Sequence, residues 1–218
     1  MIVMEAKAVP HVPFSWAVLL SLVTVLAVSL VVFNWQVRRW TTNRRWRALL
    51  DWARERGYRL SHQDREPPPP FDTMAAARAT TCLESRSTHL FQLETIGGSA
   101  VATPRWHVLV RELEAAWPPT GLRPATAKSS LLDQFSLSSY PRLGAVERFV
   151  VFGTDTTAAR ILSASPMRAL LPPDIGLLLA GGKLVLDFSA RPFDPIELGR
   201  MTALAEQLVT HLPLPTEA

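Results

Sequence analysis

The sequence predicts a protein of the α+β class, with one N-terminal transmembrane helix followed by a mainly antiparallel sheet packed with helices. Three observations support this prediction. Residues 14–33 contain no charged residue, no glycine and no proline. The remaining chain alternates between strand-like and helix-like segments without a regular βαβ pattern. Two apolar runs flank the pair Gly181-Gly182, which is typical of a tight hairpin between neighbouring strands.

The apolar block Phe14–Phe33 has the length of a membrane-spanning helix. Its twenty residues, at a rise of about 1.5 Å each, span the hydrocarbon core of a bilayer. A signal peptide has a shorter apolar core behind a basic N-terminus, and a buried core helix is seldom apolar on every side. We therefore predict a transmembrane helix over residues 14–35, preceded by a short extracytoplasmic N-terminus at residues 1–13.

Basic residues are concentrated on the C-terminal side of this helix. One Lys or Arg precedes the apolar block, and five follow it within fourteen residues. The positive-inside rule then places the N-terminus outside and the large C-terminal domain in the cytoplasm. Tryptophan rings and arginines also favour the membrane boundary and its anionic head groups. The residues expected at the membrane interface are Trp16, Trp35, Arg38, Arg39, Trp40, Arg44 and Arg45.

Residues 36–60 are predicted to form a juxtamembrane basic segment and a docking helix. The apolar positions of that helix share one face, at helical spacing: Trp46, Leu49, Leu50 and Ala53. Asn43 is placed to cap its start and Gly57 to end it. Trp52 lies away from the centre of this face. The pattern indicates a helix that packs on the following domain through one face and carries arginines on the other.

A proline-rich linker is predicted at residues 61–70, "SHQDREPPPP", because consecutive prolines favour a stiff, extended spacer. The cytosolic α+β domain follows at residues 71–213, and residues 214–218 form a tail. Strands are predicted within residues 81–95, 106–113, 122–125 and 149–152, followed by the hairpin over residues 175–188.

Helices are predicted where a capping residue precedes a helical apolar pattern. Asp155 is expected to cap a helix over residues 156–162, and Ser165-Pro166 to start a second, short one. Asp194-Pro195 begins a third helix. The apolar stripe of that third helix consists of Met201, Leu204, Ala205, Leu208 and Leu212.

The charge distribution argues against a nucleic-acid partner. Residues 1–57 carry eight Lys/Arg and three Asp/Glu, whereas residues 58–218 carry fifteen and sixteen. The larger domain is therefore nearly neutral, without the clustered basic face of a nucleic-acid groove.

Known catalytic motifs are absent from the sequence. It contains no Gly-x-Ser-x-Gly elbow, phosphate-binding loop, dinucleotide fingerprint or His-Glu-x-x-His. With one cysteine and five scattered histidines, we expect no metal site, no cofactor and no catalytic residues. Cys82 is interpreted as a small buried thiol rather than a nucleophile, and His107 as a strand histidine rather than a general base.

The order of segments resembles a diffuse group of bacterial membrane-anchored proteins of unknown function. The segments that carry the resemblance are "WHVLVREL", "GLRPAT", "RFVVFGTD", "TTAARILSASPMRALLP", "LLLAGGKLVLDF" and "IELGRMTALAEQLVTHLP", within residues 44–213. In that group, one or two N-terminal membrane helices precede a cytosolic α+β domain, and this sequence has one. The resemblance implies a bacterial inner (plasma) membrane location and brings no catalytic residues with it.

Two functions remain open from the sequence, besides direct binding of a lipid surface by the arginines of residues 38–47. The first is a single-pass membrane protein whose cytosolic domain acts as a non-enzymatic interaction or sensor module, with the lipid bilayer and a protein as its partners. The second is a membrane-tethered small-ligand binder or enzyme with an unrecognised site. A pocket that gathers Cys82, His89 or His107 with carboxylates would favour the second function.

Overall fold

The computed structural model describes residues 16–61, 77–95, 105–126 and 140–212. The chain divides into two compact units, Met1–Arg47 and Ala48–Ala218. Helix α1, Trp16–Glu55, begins in the first unit and ends in the second.

Helix α1 contains residues 16–33 of the apolar block identified in the sequence. It is the one helix among the described residues that is long and apolar enough to cross a membrane, judged by length and composition. Its apolar window has a mean hydropathy of 1.9 and is 0% buried. Thr24 Oγ1 donates to the carbonyl of Leu20 at 2.8 Å, so its hydroxyl is satisfied within the helix. The prediction of a long N-terminal apolar helix is confirmed.

The predicted start of a separate helix at Asn43 is wrong, because Asn43 lies inside α1. No glycine or proline occurs between residues 14 and 56, so nothing interrupts the ladder of backbone hydrogen bonds. The predicted end at Gly57 is confirmed. Gly57 has a φ of 73°, its N–H donates to Arg54 O at 3.1 Å, and the N–H of Tyr58 donates to Ala53 O at 2.8 Å. These two bonds form a Schellman cap, which requires a left-handed residue.

The described strands form one sheet of nine strands, and every pairing is antiparallel. In chain order they are β1 Arg59–Ser61, β2 Ala77–Glu84, β3 Thr88–Thr95, β4 Arg105–Glu112, β5 Thr120–Pro124, β6 Arg142–Val146, β7 Phe149–Gly153, β8 Gly176–Ala180 and β9 Lys183–Asp187. Their order across the sheet is β1-β2-β3-β4-β9-β8-β5-β7-β6. The predicted α+β class with a mainly antiparallel sheet is confirmed.

The hairpin between β8 and β9 turns at the two glycines that predicted it. Gly181 and Gly182 have φ values of 54° and 76°, and Ala180 pairs with Lys183 across the turn. A tight turn with two left-handed residues suits glycine, which pays no steric penalty there. This hairpin is central to the sheet, because β9 pairs with β4 and β8 pairs with β5.

Within the described residues, three helices follow strand β7, namely α2 Thr156–Ala164, α3 Met167–Leu170 and α4 Pro195–His211. Asp155 caps α2 by accepting from the N–H groups of Thr157 and Ala158. Asp194 caps α4 in the same way, accepting from Ile196 and Glu197. Both caps agree with the sequence prediction, since an aspartate satisfies N–H groups that have no partner inside the helix.

The two faces of the sheet are both apolar in its centre. On β4, Trp106, Val108 and Val110 belong to one cluster of buried residues, to which Cys82 and Phe91 also contribute. The alternate residues of β4 point to the opposite face, and α4 packs against β4 and β9. Four of the five residues of the predicted stripe on α4 are buried: Met201, Leu204, Ala205 and Leu208.

Some predicted and observed elements do not coincide. The edge strands β1 and β6 were not predicted, and β1 occupies residues 59–61, where the docking segment was expected to pass into the linker. Residues 62–76 and 213–218 lie outside the described residues, and with them most of the predicted linker and the tail.

Candidate functional site

The predicted membrane-interface residues lie along α1, and their side chains are exposed. Arg39 lies over the ring of Trp35, with its Cζ 5.3 Å from the ring centroid. Arg44 lies over Trp40 in the same way, at 5.4 Å. Both pairs have the i,i+4 spacing that brings helix side chains together. Their position at a membrane boundary stays a prediction.

The remaining members of this set are Trp16, Arg38 and Arg45. Trp16 is 74% exposed, and Arg45 is exposed as well. Arg38 Nε donates to Asn34 Oδ1 at 3.2 Å, again across one turn of the helix.

Cys82 and His89 are held on neighbouring strands, away from any shared cleft. Cys82 is 4% exposed and its Sγ lies 3.3 Å from Glu84 Oε1. His89 Nε2 lies 3.9 Å from Glu112 Oε1. In the described part of the chain, no three His, Cys, Asp or Glu side chains are grouped as a metal site requires.

His107 lies on β4 and holds the loop that follows β9. Its Nδ1 lies 2.6 Å from the carbonyl oxygen of Arg191, and its ring packs between Phe188 and Phe193, with centroids 5.8 and 5.3 Å away. Burial lowers the pKa of His107 below its usual value of 6.5. This arrangement is typical of a histidine that stabilises a loop.

Arg191 links that same loop to two carboxylates. Its Nε and Nη2 donate to Asp174 at 2.7 and 2.8 Å, and its Nη1 donates to Glu197 at 2.5 Å. Glu197 is buried and also accepts from Arg200 at 3.3 Å. The hydrogen bond from Arg191 lowers the pKa of Asp174. Because each of these charges is paired, we assign the group a structural role.

A polar cleft of about 420 Å³ is formed by the end of α1, the turn between β2 and β3, strand β4 and helix α4. We call it the Arg111 cleft. Its lining residues are Arg56, Tyr58, Ser85, Thr88, Arg111, Gly199, Thr202, Ala203 and Glu206. Cys82, His89 and His107 are not among them.

The turn between β2 and β3 positions the floor of this cleft. The N–H of Ser85 donates to Thr88 O at 2.9 Å, and the Ser85 hydroxyl both donates to Thr88 O and accepts from Thr88 N–H. A serine at the start of a turn commonly bonds to the backbone in this way. Arg111 Nη1 then donates to Thr88 Oγ1 at 2.6 Å, so the guanidinium is held on one side.

Tyr58 forms the aromatic side of the cleft, and the buried Trp52 packs behind it. Their rings stack with centroids 5.4 Å apart and an interplanar angle of 17°, and Arg56 Cζ lies 5.1 Å from the centroid of Trp52. Trp52 is 7% exposed, and a Cβ on Gly199 would lie 3.7 Å from its Nε1. Among the described residues, nothing accepts a hydrogen bond from that Nε1.

Burial raises the pKa of the Tyr58 phenol, while the Ser85 and Thr88 hydroxyls and the Arg111 charge act in the opposite direction. The phenol is therefore neutral near pH 7. Sequence reasoning missed Tyr58 as a site residue and left Trp52, which packs behind it, unassigned. The one sequence feature that could have indicated this contact is the position of Tyr58 directly after Gly57. The left-handed backbone of Gly57 turns Tyr58 back toward the helix that carries Trp52.

A second, smaller groove of about 180 Å³ separates the edge strand β6 from helix α2. Its walls are residues 143–146 of β6, Val151 of β7, and Thr156, Ala159, Arg160 and Ser163 of the α2 side. The groove is mixed in polarity and open along the strand.

No protein-family model matches this chain, and no curated protein matches it. One solved structure that is similar is the crystal structure of the mycobacterial trehalose monomycolate transport factor A, TtfA. It is 12% identical over 78% of this chain and 97% of its own, with a TM-score of 0.48. The two structures are only partly similar in fold, and this similarity says nothing about the function of the chain.

Proposed function

We propose that this chain is a single-pass protein of the bacterial inner membrane, whose cytosolic α+β domain acts as a non-enzymatic interaction or sensor module for a protein partner. The observation that carries the proposal is α1, whose apolar window is 0% buried. Apolar surface of this extent is costly in water, and a bilayer removes the cost. The α+β fold that follows has a core of its own, as a module presented at a membrane requires.

The proposed orientation places the N-terminus outside and the α+β domain in the cytoplasm. It rests on the five arginines that follow the apolar block within fourteen residues, since arginine clusters remain on the cytoplasmic side. Trp16 would lie at the outer interface. The residues proposed for the cytoplasmic interface are Trp35, Arg38, Arg39, Trp40, Arg44 and Arg45.

The edge strand β6 is the surface that best suits a protein partner. Within the described ranges β6 pairs with β7 alone, and Arg142 and Ala145 are exposed. Val146 and Phe149 close a two-residue hairpin. The next pair, Ala145 and Val150, is then of the non-hydrogen-bonded kind, so the N–H and C=O of Ala145 point away from β7. A partner strand can add at such an edge, with side chains entering the groove beside α2.

Site-specific crosslinking tests this surface in the full chain in its native membrane. A photo-reactive amino acid at Ala145 should give one reproducible protein adduct, and the substitution Ala145→Pro should abolish partner recovery, because proline has no N–H to donate. A photo-reactive amino acid at Arg200, an exposed position on α4, serves as the control. No adduct at Ala145, or the same adduct at Arg200, would count against the proposal.

The Arg111 cleft favours a second candidate, a membrane-tethered binder of a small ligand. Its volume of about 420 Å³ falls in the range of small-molecule sites. Cys82, His89 and His107 do not meet in this cleft, nor in the groove beside α2. We therefore argue for binding rather than for a reaction.

A further inference from the structure

We propose that the Arg111 cleft binds the phosphate group of a small organic molecule, supplied by a soluble phosphate ester or by a phospholipid head group. The proposal rests on the second candidate function and names its ligand class. It does not depend on the partner surface at β6.

The Arg111 cleft carries positive charge that no carboxylate in the described residues pairs with. Arg105, Arg168, Arg191 and Arg200 each form an ion pair with a carboxylate. In the described part of the chain, Arg56 and Arg111 form none. Arg111 is also half-buried, and a guanidinium withdrawn from water is costly unless an anion faces it. An anion in the cleft would offset that cost.

The cleft also supplies hydrogen-bond donors. Thr88 takes one of the N–H groups of Arg111, which leaves the guanidinium with further donors for a forked contact. Arg56 lies over Trp52 and lines the same cleft. Phosphate oxygens accept several such bonds at once.

The size and the walls of the cleft suit a phosphate that carries an organic group. A volume of about 420 Å³ exceeds what a bare phosphate fills and leaves room for an organic group. Tyr58 lines this space, stacked on Trp52, and provides an apolar surface for that group. Gly199 contributes no side chain to this wall of the cleft.

Glu206 is the residue that limits anion binding. It lines the cleft without forming an ion pair to either arginine among the described residues. The carboxylate of Glu206 repels a phosphate, whereas the neutral amide of a glutamine at this position would not. Removing Arg111 and neutralising Glu206 should therefore shift affinity in opposite directions, which misfolding cannot imitate.

Isothermal titration calorimetry of the full chain in a neutral detergent tests the proposal with glycerol 3-phosphate as the probe. Arg111→Gln should weaken binding by about tenfold or more, as expected for a lost charge-assisted hydrogen bond. Arg111→Lys, which keeps the charge but cannot form the bidentate hydrogen bonds of a guanidinium, should weaken binding less. Glu206→Gln should tighten binding by roughly threefold. Arg200→Gln is the matched control, because it removes an exposed arginine from α4 outside the cleft, and it should leave affinity unchanged.

A second experiment distinguishes a soluble phosphate ester from a phospholipid head group. Native mass spectrometry of the full chain, from micelles doped with phosphatidic acid or with phosphatidylcholine, reports retained lipid. Retention of phosphatidic acid that Arg111→Gln abolishes identifies a head group, whereas glycerol 3-phosphate binding without lipid retention identifies a soluble ester. The proposal is overturned if neither probe binds, if binding is insensitive to Arg111, or if Arg200→Gln weakens it equally. None of these outcomes alters the crosslinking result at Ala145.

Discussion

The Nδ1 of His107 lies 2.6 Å from the carbonyl oxygen of Arg191, and this contact ties the central strand β4 to the loop after β9. A carbonyl only accepts, so Nδ1 carries the hydrogen and donates it. The neutral ring therefore has its free lone pair on Nε2. Because burial between Phe188 and Phe193 disfavours the charged ring, the pKa of His107 lies below 6.5.

Stability should consequently fall as the pH drops below 6.5. Above that value His107 is neutral in both states and makes no pH-dependent contribution. Below the unfolded pKa of 6.5, the unfolded chain takes up a proton that the folded chain resists, so unfolding is favoured until the lower folded pKa is passed. Denaturant unfolding in detergent, followed at several pH values between 8 and 5, should show this loss.

The variant His107→Asn isolates the effect, because an amide retains a donor but does not titrate. Its free energy of unfolding should depend less on pH over the same interval. His211→Asn, which replaces an exposed histidine at the end of α4, is the control for the substitution of a histidine by asparagine. An unchanged slope in His107→Asn would refute the assignment.

Alanine substitutions at three glycines should separate backbone strain from steric contact. At Gly57 the φ is 73° and nothing lies within 4 Å of a new Cβ, so Gly57→Ala should cost about 1–2 kcal/mol through the left-handed backbone alone. Gly144 also has open space but no positive φ, so Gly144→Ala should change stability little. At Gly153 a Cβ would lie 2.9 Å from Pro119 O, and this substitution should be the most damaging.

Chemical denaturation of the full-length variants in detergent measures the loss of stability. If both causes operate as described, this loss increases in the order Gly144→Ala, Gly57→Ala, Gly153→Ala. A cost at Gly144 equal to that at Gly57 would show that φ is not the cause. Equal stability of all three variants would contradict the geometry at Gly153.

Membrane orientation is open to a direct test. A reporter enzyme that is active only in the periplasm, fused after Ala218, should be inactive, whereas a reporter active only in the cytoplasm should work. Changing Arg38, Arg39, Arg44, Arg45 and Arg47 to Gln removes the charge bias, and a fraction of the chains should then invert and activate the periplasmic reporter. Periplasmic activity in the unmodified fusion would reverse the proposed orientation.

Local patterns predicted the elements whose stability is decided within a few residues. The apolar block of α1, the glycine hairpin at Gly181-Gly182, and the aspartate caps of α2 and α4 were all recognised in this way. The error at Asn43 has the same origin, because a residue that can cap a helix also fits inside one when neither glycine nor proline interrupts it.

The sequence by itself therefore determined the long apolar helix, the α+β class and the ends of several elements, since propensity, capping and apolar length act locally. The tertiary structure decided which strands meet and which side chains share a cleft. Strands β4 and β9 pair although they are far apart in the chain, and Arg56, Arg111 and Glu206 converge from three separate elements. Such pairings depend on the packing of the whole sheet against α4, which no local pattern of residues encodes.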